Sequence, residues 1–263
     1  DETDSIIIPL RRIINVYSWH SSLYGAATTE IYMPWISVVR MLSIALHGGL
    51  RLQNCQWLDI NTFDMLLSKP ENRILNSCLL HVNTDKDGQD RPVVIPDEVM
   101  ESLIAERQFQ REIYRAPLLP TYYENDPKDP KKYGAIYSLF RSPWNVRGLP
   151  FSDSNYSEKW TLLLHGIQDT YNEIVPLERQ HQFVTHNKNG QMKSIHTPHS
   201  LRATWLTHNR IYGHLDIRVA QQQVAHKNRY TTDYYTIPII SESIKAISDS
   251  NNLVLRNAWA QIA

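Results

Sequence analysis

Residues 197–236, TPHSLRATWLTHNRIYGHLDIRVAQQQVAHKNRYTTDYYT, gather the residue types that phosphoryl chemistry uses. His199 and Arg202 are three apart, His226 follows Arg202 by 24 residues, and Tyr235 follows His226 by nine. An arginine offers a planar fork of donors to phosphoryl oxygens. A histidine moves protons near neutral pH. A tyrosine phenol becomes a nucleophile once something helps remove a proton whose free pKa is about 10.

Local signals set the elements that must carry these groups. Thr197 suits an N-cap and Pro198 the first helical position, which predicts a helix with His199 and Arg202 on one face. Leu201, Trp205, His208 and Ile211/Tyr212 recur at the spacing of a buried stripe, and Gly213 ends the run. Asp216 caps a second predicted helix to about Val224. Thr231 or Thr232 caps a short third one through Tyr235, stopped by Pro238. Upstream, Trp35, Val38, Val39, Leu42, Ala45 and Leu46 predict a helix over 34–47, closed by Gly48-Gly49. Ile74–Val82 and Pro92–Pro96 predict a β-hairpin around the turn 85–90. Helices are expected over 97–112 and 155–175, with a polar stretch at 180–196 holding an Asn187–Gly190 turn.

Together these residues resemble the two boxes of the tyrosine recombinase (phage integrase) family, catalytic domain. The second box reads H-x-L-R, then G-H, then Tyr-Thr. Here it is His199-Ser-Leu-Arg202, Ala225-His226 and Tyr235-Thr236. The family's spacing and the following Thr select Tyr235 over Tyr234 and Tyr230. The first box, G-x-R opening a helix and W-x-D-I after it, is similar to Gly49-Leu50-Arg51 and Trp57-Leu58-Asp59-Ile60. Two departures stand out: Asn54 occupies the place of the family's acid three residues after the arginine, and the Arg51–Trp57 interval is about a helical turn short. The family also carries a lysine on a hairpin turn, and Lys86 is the lysine of this turn.

The resemblance implies an α+β fold, a mostly helical tyrosine-recombinase catalytic domain with a small antiparallel β-sheet. It implies DNA cutting and rejoining through a covalent 3′-phosphotyrosine, with Tyr235 as nucleophile. Arg51 and Arg202 would hold the non-bridging oxygens, Lys86 would protonate the departing 5′ oxygen, His199 would act as acid/base, and His226 would donate a hydrogen bond to the phosphate. That scheme needs no cofactor and no metal. The nearby His181, His186, His196, His208 and His214 fall in no H-E-x-x-H or Cys/His pattern. Implied partners are double-stranded DNA recombination sites, a homotetramer on DNA from a monomer in isolation, and accessory DNA-bending or directionality proteins. Rival readings are a recombinase-derived DNA-binding accessory protein, and a type IB topoisomerase or telomere resolvase.

Bulk properties fit a globular protein: 263 residues, 42% hydrophobic, 21% charged, with net charge zero. Neutrality argues against a general nucleic-acid binder, yet residues 186–230 hold seven Lys/Arg against one acid, Asp216. No apolar run reaches membrane-spanning length, so no membrane partner is expected. Cys55 and Cys78 read as buried thiols, which favours the cytoplasm; the resemblance implies a protein encoded by a bacterium, a phage or a mobile genetic element. Asp1 in place of Met suggests a fragment or processed chain. The expected organisation is 1–30 as a linker, with at most one helix, or the stub of a missing core-binding domain. The catalytic domain spans 31–240 and has an aromatic-rich insertion at about 113–150, whose rings either stack on bases or, preferably, anchor the loop. Residues 241–263 form a helix that packs on its own domain or docks on a neighbouring protomer.

Overall fold

The computed structural model describes residues 16–20, 30–34, 36–68, 73–74, 76–85, 90–113, 118–123, 132–141 and 148–227. Lys86, Tyr230, Tyr234, Tyr235, the expected third helix and the expected helix at 241–263 lie outside them. The chain divides into two compact units, residues 1–201 and 202–263.

The first unit is α+β. Its opening segment departs from the expected linker and helix: Val16–His20 (β1) pairs antiparallel with Glu30–Pro34 (β2), Val16 opposite Pro34 and His20 opposite Glu30. Both strands are rich in β-branched and aromatic residues, which favour extended backbone. The predicted first helix is present as α1 (Ile36–Gly48), which buries Val38, Met41, Leu42, Ile44 and Ala45. Gly49 then turns the chain with a φ of 61°, where a side chain would be strained. A short α2 (Leu52–Gln56) follows.

The predicted hairpin is present within a three-stranded antiparallel sheet: β3 (Arg73–Ile74), β4 (Ser77–Val82) and β5 (Arg91–Pro96). Cys78 faces Ile95 and Leu80 faces Val93 across the ladder, all buried, while Val94 between them is 50% exposed. That alternation is the two-residue period of a strand with one wet face. Cys55 and Cys78 are buried thiols, as expected.

Next come α3 (Asp97–Ile113), with Asp97 and Glu98 favourably placed in its first turn, and α4 (Asp153–Ile174). The stretch read as merely polar contains a small hairpin, β6 (Val184–His186) with β7 (Met192–Ser194). Then α5 (Ser200–Ile211) carries the chain into the second unit, which also holds α6 (Ile217–Val224). Among the described residues no helix is long and apolar enough to cross a membrane.

A buried carboxylate ties α1 to α3. Glu106 is fully buried, and its oxygens accept from the Ser37 hydroxyl (2.7 Å), the Gln110 amide (2.7 Å) and Arg40 NH1 (2.8 Å). Removing it takes the acceptor from the buried Ser37 hydroxyl, from one of the two bonds of the Gln110 amide and from the partly exposed Arg40. Glu106→Ala should therefore cost about 3 kcal/mol, read as a lower urea midpoint; an unchanged midpoint refutes the tie. Tyr156 is the opposite case. Its hydroxyl is buried with no hydrogen bond among the described residues, and burial pushes its phenol well above the ordinary range. Tyr156→Phe should be neutral or stabilising by about 1 kcal/mol in the same assay.

Candidate functional site

Arg51 stands at the N-terminal end of α2 with extended backbone, φ −69° and ψ 146°. Its carbonyl accepts from the Asn54 and Cys55 amides at 3.0 and 3.3 Å, which starts the helix. The helix is only five residues long, so other bonds must hold it in place. Gln56, buried, donates to the Phe151 carbonyl (3.0 Å) and to Asp153 Oδ1 (2.9 Å) at the start of α4. The side chain of Arg51 is partly exposed, and its NH1 donates to Asp85 Oδ1 at 3.0 Å.

Asp85 is buried, and its other oxygen accepts from Arg91 Nε at 2.7 Å. Burial pulls the Arg91 guanidinium below its ordinary value, and the adjacent carboxylate opposes that pull. The main chain here is held too. The Asn54 side-chain amide donates through Nδ2 to the Thr84 carbonyl, and the Tyr133 hydroxyl donates to the Asp85 carbonyl. At the far end of the turn, His81 Nε2 meets Asp90 Oδ2 at 2.9 Å, and that hydrogen bond holds the Asp90 carboxyl below the usual range. Residues 85 and 90, which bracket the segment containing Lys86, are thus both fastened.

Sequence reasoning missed Asp85, which reads as one more polar turn residue. The signal was indirect: an arginine at the head of a helix, no acid at position 54, and an aspartate directly before the hairpin lysine.

Rings of the long insertion anchor it to this region. Trp57 and Tyr123 meet edge to face at 5.1 Å, and Tyr123 and Tyr133 at 5.0 Å. Asp59 of the W-x-D-I stretch accepts from the Asn61 amide (2.8 Å) and the Tyr137 amide (2.7 Å), binding the insertion along its backbone. Phe140 is fully buried in the core.

His199 is exposed and sits in the turn ahead of α5 rather than on its face, because the helix begins at Ser200. The turn is closed by the Ser200 amide to the Thr197 carbonyl (2.9 Å) and the Leu201 amide to the Pro198 carbonyl (3.1 Å). Trp160 of α4 fixes the approach by donating Nε1–H to the His196 carbonyl at 2.6 Å.

In the second unit α5 buries Arg202 and Leu206, while Trp205 of the expected stripe is half-buried and packs against the same cluster as Leu206. His208 and Tyr212 point to solvent with rings 5.3 Å apart. The burial of Arg202 has a physical cause. Arg202 is 1% exposed and donates through NH2 to the Val224 carbonyl, one of the acceptors a helix end leaves open. Leu206, Ala220 and Val224 pack together, with Trp205 and Leu215 against them. Gly213 closes α5, since a Cβ there would lie 2.9 Å from the Asn209 carbonyl. Asp216 caps α6 by accepting from the Arg218 amide (2.7 Å).

α6 ends at Ala225, which adopts the left-handed conformation at φ 51° and ψ 54°. The His226 amide then bonds the Gln221 carbonyl at 3.0 Å, and the histidine is buried. The structure therefore brings Arg202 against the turn that carries His226, although 24 residues separate them. Arg51 and His199 belong to the first unit, and Lys86 and Tyr235 lie outside the described residues.

The turn at Ala225 generates a prediction. An alanine in this conformation carries a steric penalty that glycine does not. Ala225→Gly should raise stability by about 0.5–1 kcal/mol, measured as a higher denaturation midpoint; a lower midpoint contradicts the assigned turn.

No protein-family model and no curated protein matches the chain. Solved structures do. The chain is similar to the XerH site-specific recombinase bound to a palindromic difH substrate in a post-cleavage complex. The identity is 15% and the TM-score 0.52, covering 91% of this chain and 50% of that one. It is also similar to the XerA recombinase, with 19% identity, a TM-score of 0.48, and 84% and 65% covered. A third is the Tn1549 transposon integrase in complex with circular intermediate DNA, with 17% identity, a TM-score of 0.49, and 81% and 58% covered. The chain thus spans about half the length of XerH, and at these identities the likeness is one of fold.

Proposed function

We propose that this chain, whose fold is that of the tyrosine-recombinase catalytic domain, is a site-specific DNA recombinase or integrase acting through a covalent 3′-phosphotyrosine. The observation that supports this most is the seating of Arg202 against the Val224–His226 turn. That contact ties Arg202 to a residue two before His226, in a fold shared with a recombinase, and so supports the reading.

In this reading Tyr235 attacks the scissile phosphorus and the 5′ oxygen leaves. Arg51 and Arg202 hold the non-bridging oxygens, where charge grows in the transition state. Lys86 supplies the proton to the departing oxygen, His199 takes or returns the tyrosine proton, and His226 donates to the phosphate. The phosphotyrosine conserves the energy of the broken link, so rejoining needs only a 5′-hydroxyl from another strand. Exchange between two duplexes implies four protomers on DNA. The exposed Lys188, Lys193, Arg218 and Lys227 are suited to backbone phosphates. Accessory DNA-bending or directionality proteins and a cytoplasmic location on a bacterial or phage element complete the proposal.

The test is a covalent-adduct assay with nicked DNA from the junctions of the chain's own genetic element, run on a denaturing gel. A DNA-linked band lost in Tyr235→Phe supports the reading and identifies the nucleophile. A surviving band moves the nucleophile to Tyr234 or Tyr230. DNA binding with no band, even when the longer protein is used, favours the accessory DNA-binding module. Arg51→Lys should slow formation of the band by roughly 100-fold or more, because an ammonium cannot reproduce the bidentate fork.

A further inference from the structure

We propose that Asp85 is the positioning residue for Arg51, the group that fixes where its guanidinium stands over a bound phosphodiester; the role over a phosphodiester rests on the transesterase reading above. Both carboxylate oxygens are engaged, Oδ1 by Arg51 NH1 at 3.0 Å and Oδ2 by Arg91 Nε at 2.7 Å. The two arginines come from different elements, the head of α2 and the first residue of β5. The aspartate is itself fastened before it fastens anything else. Its side chain is 7% exposed, its carbonyl accepts from the Tyr133 hydroxyl, and the preceding Thr84 carbonyl accepts from the Asn54 side-chain amide.

Arg51 needs such a hold. It leads a five-residue helix, and its side chain is 28% exposed. A long, partly wet side chain samples several rotamers unless something selects one. An arginine does not lose its proton in a protein, so Asp85 governs its place rather than its charge. The position explains Asn54 as well. The amide at that position ties down the backbone next to the carboxylate, so α2 and the hairpin together supply what one acid on the helix would supply alone.

Charge and position predict opposite signs. Removing a negative group beside two arginines strengthens attraction for DNA in general. Releasing Arg51 slows cleavage. The experiment uses Asp85→Asn in the full chain with two readouts. The first is 15N NMR of arginine side chains, with the Arg51 signals identified through Arg51→Lys. The second is single-turnover cleavage of nicked DNA at saturation, alongside DNA affinity.

We expect slowed guanidinium rotation at Arg51 in the wild type and averaged signals in Asp85→Asn. Cleavage should fall on the order of tenfold to 100-fold with affinity equal or tighter, and Asp85→Asn should add no further loss on top of Arg51→Lys. Unchanged Arg51 signals overturn the proposal. So does a wild-type cleavage rate, or a loss that multiplies in the double variant, which marks a purely structural role. Averaged Arg51 signals in the variant, with no adduct from the wild type, overturn the transesterase reading and uphold the hold of Asp85 on Arg51. If Asp85→Asn fails to fold by circular dichroism, Asp85→Glu is read in the same two ways. It keeps the charge and moves the carboxylate by one methylene, so displaced Arg51 signals with an unslowed rate overturn the proposal.

Discussion

A carboxylate removed from water must be met by donors, and much of the first unit is arranged around that requirement. Among the described residues Asp59, Asp85 and Glu106 are the buried acids. Each lies where two segments distant in sequence have to meet. Glu106 joins α3 to α1, Asp59 joins the W-x-D-I stretch to the insertion, and Asp85 joins the hairpin to the head of α2. Apolar burial supplies most of the stability, but it is non-directional. These charged contacts have geometry, and they set register between elements that greasy surfaces alone would let slide.

The second unit applies the same rule with the sign reversed. There the buried charge is Arg202, and the acceptor is a carbonyl at the end of α6 that the helix cannot itself satisfy. A cation at the C-terminal end of a helix is favourable, so the arginine can sit inside and still orient the turn that holds His226. That is why a charged side chain is buried on α5 beside Leu206 and the half-buried Trp205.

How much was legible in the sequence follows from the same physics. α1, α3, α4 and α6 were legible because an apolar stripe or an unambiguous cap is a strong, local signal. The β4–β5 hairpin was legible because two short apolar runs, the first partly alternating and the second rich in Val and Ile, flank a run of turn formers. β6 and β7 were not: each has three residues and their sequences, VTH and MKS, bury little beyond Val184. On α5 the expected stripe packs at Leu201 and Trp205 but is exposed at His208 and Tyr212, and the burial of Arg202 was not legible because only the distant Val224 carbonyl makes it inward. Of the candidate site, Arg51, Arg202 and His226 were named because the motifs around them resemble a known family's boxes; spacing alone showed only that the residue types were available. Asp85 was not named, because its importance lies in a contact 34 residues away.

The ring chain from Trp57 through Tyr123 to Tyr133 ends on the backbone of Asp85. The insertion is therefore a buttress: it reaches the stretch after α2 through Trp57 and the hairpin through the Asp85 carbonyl. Cutting out the excursion would remove that outer prop and leave Asp85 with the hold of Arg91 and, through the Thr84 carbonyl, of the Asn54 side chain.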